Sequence, residues 1–220
     1  MRLTGQDLAC IRGGRLVFDG LGFRVDAGTL LQLRGRNGAG KSSLLRLIAG
    51  LVRIAEGRLD LKGGAPDIPV KEHIHYVGHL DAIKPALSVG ENLAFWAGML
   101  RGEEVAALTD QAVIDPPAAL DAIGIGPLAD FPAAILSAGQ RRRLSLARLM
   151  VAARPVWLLD EPTTALDTDG QARLFEMIDR HLTSGGIALI ATHVDLPLPA
   201  ETLTLGLRQP SEYRPEAEPA

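Results

Sequence analysis

An α/β fold with a mixed sheet core is predicted by three features of the 220-residue sequence. Short apolar runs of strand length at 29–34, 74–77, 156–160 and 187–191 are separated by longer amphipathic runs. The first of these runs leads directly into a glycine-rich turn at 35–42, and that turn opens a helix. Ahead of it, two alternating segments parted by Gly13 and Gly14 read as an antiparallel hairpin.

In chain order, residues 3–12 and 16–25 are the arms of the hairpin and form an edge sheet. Residues 29–34 make a core strand, and 41–50 carry leucines at helical spacing. Residues 58–61 and 74–77 are short strands, with Gly63, Gly64, Pro66 and Pro69 supplying the turns between them. From 88 to about 126 the pattern turns helical: Leu93, Trp96, Ala97 and Leu100 share a face, and 115–122 starts another helix. Residues 81–136 are therefore expected to be an inserted helical subdomain. A helix over 137–151 begins at a Ser137 cap, an apolar strand at 156–160 ends in Asp160, and a helix over 167–182 precedes the strand 187–191. Residues 202–207 complete the sheet as an edge strand. One domain is expected over 1–207, and the Pro- and Glu-rich stretch 208–220 is expected to fray.

Composition narrows the partners. A net charge of −3 provides no general attraction to nucleic acid. Cys10 is alone, so an internal disulfide is impossible, which fits a reducing compartment. No apolar run approaches the roughly 18 residues that cross a bilayer, so a membrane role would come through a partner.

The chemistry concentrates at two stretches. Gly35-Arg36-Asn37-Gly38-Ala39-Gly40-Lys41-Ser42, followed by Ser43, fits the phosphate-loop pattern, and it lies in the strand–turn–helix context that pattern requires. The glycines let successive amides converge on a polyphosphate at the positive end of a helix. Lys41 would reach the terminal phosphates, and the Ser42 hydroxyl would ligate magnesium. The second stretch ends an apolar strand with two adjacent carboxylates. Asp160 is the candidate for holding Mg2+ through water, and Glu161 the candidate for accepting the proton of an attacking water. A strand ending in acids is by itself commonly a solvated edge. Paired with a phosphate loop, the acids make a site for hydrolysing a nucleoside triphosphate.

Leu136-Ser137-Ala138-Gly139-Gln140, one helix ahead of the acidic strand, resembles the signature of ABC-transporter ATPases. Residues 161–167 resemble that family's catalytic carboxylate and the loop crossing between its subunits, and Thr192-His193 resembles its switch histidine. The resemblance runs from residue 3 to about 207 and implies an ABC-type phosphate-loop fold binding ATP and Mg2+. It also implies that Ser137, Gly139 and Gln140 grip the nucleotide of a second copy in a homodimer. The residues support such a grip: a serine at a helix start and a glycine beside it offer amides, a hydroxyl and the helix dipole to an anion. The adjacent Arg141, Arg142 and Arg143 oppose that dipole and call for an external anion or an acidic partner.

Residues 76–79 and 83–93, together with Ala138 in place of the common glycine, are similar to the ATPase subunits of the heme exporters of bacterial cytochrome c maturation. That resemblance implies integral membrane partners on the cytoplasmic face of the bacterial inner membrane. The ATP-driven work would be heme export or the release of a heme-loaded chaperone. Two positions depart from the wider family. His79 stands where most relatives have a glutamine, and Arg12 stands where many stack an aromatic ring on adenine; Arg12 offers a guanidinium plane instead. Phe95, Trp96, Met99 and Leu100 exceed a single helical stripe, so they serve either a membrane partner or the subdomain core. Other readings remain open: another small-substrate transporter, a soluble ABC switch on nucleic acid or the ribosome, or a phosphate-loop kinase. The soluble switches commonly carry two cassettes or long coiled-coil insertions, and a kinase has no use for residues 136–140.

Overall fold

The computed structural model of the chain describes residues 1–100 and 102–206, so the 208–220 tail lies outside the described residues, as does Leu207. Two sheets pack about one helix. In the first, β1 (Arg2–Arg12) pairs antiparallel with β2 (Arg15–Asp26) on one side and with β4 (Glu56–Lys62) on the other. The second contains β3 (Leu30–Arg34), β5 (Ile74–Val77), β6 (Val156–Asp160), β7 (Ile187–Ala191) and β8 (Glu201–Thr204) in the order β5-β6-β7-β3-β8. Every pairing in it is parallel. The expected mixed core is therefore a parallel sheet, with antiparallel pairing confined to the smaller sheet. The reason is burial: β6 and β7 are buried along their whole length, and unbroken apolar runs of this kind suit strands covered on both faces.

Side-chain alternation assigns the two faces. Val156, Leu158, Ile187 and Leu189 pack toward α1 (Lys41–Ile48), in one cluster with Leu3, Leu8 and Val25 of the antiparallel sheet. Trp157, Leu159 and Ile190 pack on the other side with Leu174 and Ile178 of α6 (Thr168–Thr183). His181 of α6 stacks on Trp157 at 3.9 Å and 9°.

A third apolar cluster joins α2 (Val89–Met99), α4 (Pro116–Ala122) and α5 (Ala138–Ala147) through Val89, Leu93, Leu120 and Leu144, while α3 (Glu103–Ala106) is a single turn. Ser88 and Glu91 close a reciprocal cap on α2. The buried Asn92 amide donates to the carbonyls of Lys84, Leu87 and Ser88, and its oxygen accepts from the Lys84 amide, tying down the loop ahead of the helix. α5 stops four residues short of the expected Val151, because Leu149 and Met150 turn back to carbonyls three residues earlier and tighten the chain out of the α-helix.

Candidate active site

β3, β6 and β7 lie side by side in one parallel sheet, so the residues that follow them meet along a single edge. That edge is where ligands bind in open parallel sheets. Gly35 leaves β3 at φ 146°, where an added Cβ would stand 2.6 Å from the Leu205 carbonyl oxygen. Gly40 caps α1 at φ 100° beneath Val17 and Phe18 of the hairpin, and a Cβ there would lie 2.8 Å from Val17. Neither position admits a side chain without moving the loop, which explains two of the three glycines in sterics. Ala39 is buried, whereas Arg36, Asn37 and Gly38 face solvent. Ser42 and Ser43 sit half-buried in the first turn of α1.

Lys41 folds back over this turn. Its ammonium donates to the Gly35 carbonyl at 2.7 Å and the Arg36 carbonyl at 3.2 Å, which fixes a positive charge inside the loop. Ser42 Oγ donates to Asp160 Oδ1 at 2.9 Å and so joins the loop to the end of β6. The second carboxylate oxygen of Asp160 is buried and has no hydrogen-bond partner among the described residues. A buried anionic oxygen of this kind needs a cation or a donor, and a hard cation with oxygen ligands fits the pair Ser42 and Asp160. Among the described residues no group of three or more His, Cys, Asp or Glu side chains is placed to hold a metal.

Glu161 follows at φ 47°, a left-handed conformation costly for a residue with a side chain. Its amide donates to the Ala191 carbonyl at the end of β7, and its Oε1 lies 3.4 Å from His193 Nε2. Gln32 of β3 donates to the Val194 carbonyl, and the Arg34 guanidinium pairs with Asp195, so the histidine loop is anchored from the phosphate-loop strand. The sheet thus brings Lys41, Ser42, Asp160, Glu161 and His193 to one edge.

Ser137, Gly139 and Gln140 stand elsewhere. They line a concave cavity of about 420 Å³ with Gly124, Arg143 and Asp167, and no residue of the phosphate loop borders it. Ser137 Oγ accepts from the Gln140 amide, while the Gln140 side chain accepts from the Ser137 amide. Gln140 therefore serves the cap in this chain, leaving the Ser137 hydroxyl proton and the amides of Ala138 and Gly139 to face outward. Gly139 is required by closeness, since a Cβ there would stand 2.8 Å from the Ala165 carbonyl oxygen. The Gly170 amide and then the Arg143 guanidinium hold the Asp167 carboxyl below its ordinary value.

Arg12 is exposed at the hairpin end opposite Arg15. His79 is exposed as well, and it lines a groove of about 380 Å³ with Arg46, Tyr76, Leu80, Trp96 and Arg148. Arg142, read in the sequence only as a cation needing an anion or acidic partner, is 4 % exposed and meets Asp81 together with the carbonyls of Gly78 and Asp160, so sequence reasoning missed its backbone contacts beside the site. The available signal was its spacing, for Arg142 shares a helical face with the buried Leu146 and Leu149.

The pattern of the ABC transporter family matches residues 18–164. The "Cytochrome c biogenesis ATP-binding export protein CcmA" of Rhodopseudomonas palustris (strain BisB5) is 54% identical over 206 residues, 94% of this chain and 98% of that protein. The protein of the same name from Paracoccus denitrificans (strain Pd 1222) is 48% identical over 219 residues, covering 99% and 95%. Among solved structures, a dimeric post-hydrolysis state of an ATP-binding cassette bound to ADP and Pi superposes with a TM-score of 0.76 over 96% of this chain and 99% of that one. It is 18% identical and speaks to the fold. The chain belongs to the ABC transporter family, among the ATP-binding export proteins of cytochrome c biogenesis.

Proposed function

We propose that the chain is the ATP-hydrolysing subunit of a membrane complex that serves heme export, or release of a heme-loaded chaperone, in the making of c-type cytochromes. The observation that carries the reading is the meeting of Lys41, Ser42, Asp160, Glu161 and His193 at the ends of three adjacent parallel strands. Residues 35–43 cradle the triphosphate with backbone amides and the helix dipole, and the Lys41 ammonium neutralises its terminal oxygens. Ser42 and Asp160 would hold Mg2+, whose charge would stabilise the phosphate oxygens during transfer. Glu161 takes a proton from water as the water oxygen bonds to the terminal phosphorus and the bond to the bridging oxygen breaks, leaving ADP and phosphate. His193, beside the Glu161 carboxylate, orients that water and contacts the leaving phosphate. Arg12, exposed on the hairpin that rests on Gly40, would stack its guanidinium on the adenine.

Each chain supplies half of a closed site. Ser137, whose hydroxyl proton is left free by the cap, and Gly139, whose amide opens the helix, line a cavity away from the chain's own phosphate loop, which suits the nucleotide of a second copy in a head-to-tail homodimer. No described helix is long and apolar enough to cross a membrane, so contact with the bilayer complex is assigned to integral membrane subunits at the cytoplasmic face of the inner membrane. Leu51 and Leu80 expose large apolar side chains in the groove that contains His79, and the exposed Phe95 lies edge-on to Trp96 of that groove, a surface suited to a helix from such a subunit.

Glu161→Gln tests the chemistry. ATP binding should persist, turnover should fall by roughly two to four orders of magnitude, and gel filtration with ATP should show a persistent dimer. Near-wild-type turnover removes Glu161 from the base role. Co-purification of the wild-type chain with cytochrome maturation membrane proteins tests the biological setting, and recovery with an unrelated permease would reassign it.

A further inference from the structure

Arg142 is a buried charge that the hydrolytic scheme above leaves unused. It lies on the second turn of α5, and its three guanidinium nitrogens all reach acceptors. Nε donates to the Pro162 carbonyl at 3.2 Å, and Nη2 donates to the carbonyls of Asp160 and Glu161 at 2.9 and 2.8 Å. Nη1 donates to the Gly78 carbonyl at 2.8 Å and to Asp81 Oδ1 at 3.2 Å, so a carboxylate balances the charge. Three consecutive carbonyls, 160 to 162, thus converge on one planar cation.

This convergence occurs at the residue whose backbone is least comfortable. A left-handed glutamate is strained and persists only where its surroundings over-determine it. We propose that Arg142 is a positioning residue for Glu161: it fixes the peptide units on both sides of the carboxylate and locks them to the loop after β5, so that Glu161 points at the attacking water. The inference rests on the assignment of Glu161 as the base. A fork of fixed donors does this where a flexible ammonium does not, because five acceptors in three directions match guanidinium geometry. A cation that only filled the core would change stability without favouring one catalytic group.

The test is a cycle of Arg142→Lys and Glu161→Gln in the full chain. Lysine keeps the charge opposite Asp81 and loses the fork. In R142K the affinity for a fluorescent ATP analogue should stay within threefold, while kcat falls about 30- to 100-fold, the scale of a misplaced catalytic group. In the E161Q background, adding R142K should cost less than threefold, since there is no longer a base to misplace. Losses that multiply in the double variant overturn the inference, as does R142K turnover within threefold of wild type. Near-normal turnover of E161Q alone overturns the base assignment and the inference together, whereas slow E161Q with multiplying losses overturns only the role of Arg142. Should R142K fail to fold, Asp81→Asn leaves every carbonyl in place and frees the guanidinium to shift. In the same cycle it should lower kcat about 3- to 10-fold and vanish in E161Q, and a multiplying loss again refutes the role.

Discussion

The stack of His181 on Trp157 predicts an acid limb of stability that one substitution can reverse. Burial pushes the His181 imidazole down to about 4, against the opposing pull of the Ile187 and Pro155 carbonyls. Burial likewise pushes His75 down to about 3, helped by Arg148, Arg154 and His181 and opposed by its bond to the Ala152 carbonyl. Both rings are neutral in the fold and titrate near 6.5 when exposed. Their contribution is therefore complete above pH 6.5 and declines as pH falls toward 4 for His181 and toward 3 for His75, because the unfolded chain binds protons that the fold refuses. At pH 5 the loss is about 2 kcal/mol per ring, or about 4 kcal/mol for the pair, from 1.36 kcal/mol per unit over about 1.5 units. That is a large share of a typical stability of about 5–15 kcal/mol. His181→Phe keeps a ring against Trp157 but forfeits the Nε2 bond to the Ile187 carbonyl, a cost of about 1 kcal/mol at neutral pH. The variant should be the weaker protein at pH 7.5 and the stronger one at pH 5, with stability curves crossing between pH 5 and 6. Urea unfolding followed by circular dichroism at four pH values measures this, and the carboxylates common to both proteins cancel in the difference. Curves that stay parallel from pH 7.5 to 5 would refute the neutral-core argument.

Two further outcomes are expected. Glu161→Gly should lose turnover as E161Q does, yet raise Tm by about 2 °C. Relief of a left-handed glutamate, about 1–2 kcal/mol, outweighs the roughly 0.5–1 kcal/mol of added freedom in the unfolded chain, and the exposed contact to His193 contributes little. Calorimetry without nucleotide checks this, and a lower Tm would mean that the carboxylate itself holds the turn. Phe95→Asp, at an exposed ring edge-on to Trp96 and under the Lys84 ammonium, should leave ATP hydrolysis by the isolated chain within twofold and abolish co-purification with membrane subunits. Intact assembly of that variant would move the docking surface elsewhere.

Much of the site is legible in the chain because its geometry is local. The phosphate loop needs only a strand, three glycines and a helix start in sequence, and its internal bonds span five or six residues. The Ser137 cap closes over three residues, and Asp160 is placed by the end of its own strand. The strands Ile74–Val77, Val156–Asp160 and Ile187–Ala191 fall where the apolar pattern places them, because that pattern reports burial within a covered sheet.

Contacts between distant segments are different. The parallel character of the core sheet and the order β5-β6-β7-β3-β8 depend on crossovers that periodicity does not encode. His79 reads only as a departure from a common glutamine, and the fold places it, exposed, in a groove with Arg46, Tyr76 and Trp96. Arg142 reads as one of three interchangeable cations beside a helix start. Its acceptors lie 18 to 64 residues away in two separate loops, and they come within reach only when β5, β6 and α5 have packed. Residue type and spacing thus define the phosphate cradle and the acidic pair. Long-range packing defines which carbonyls meet a buried guanidinium, because a hydrogen bond between remote segments is written in their placement and in no single stretch of the chain.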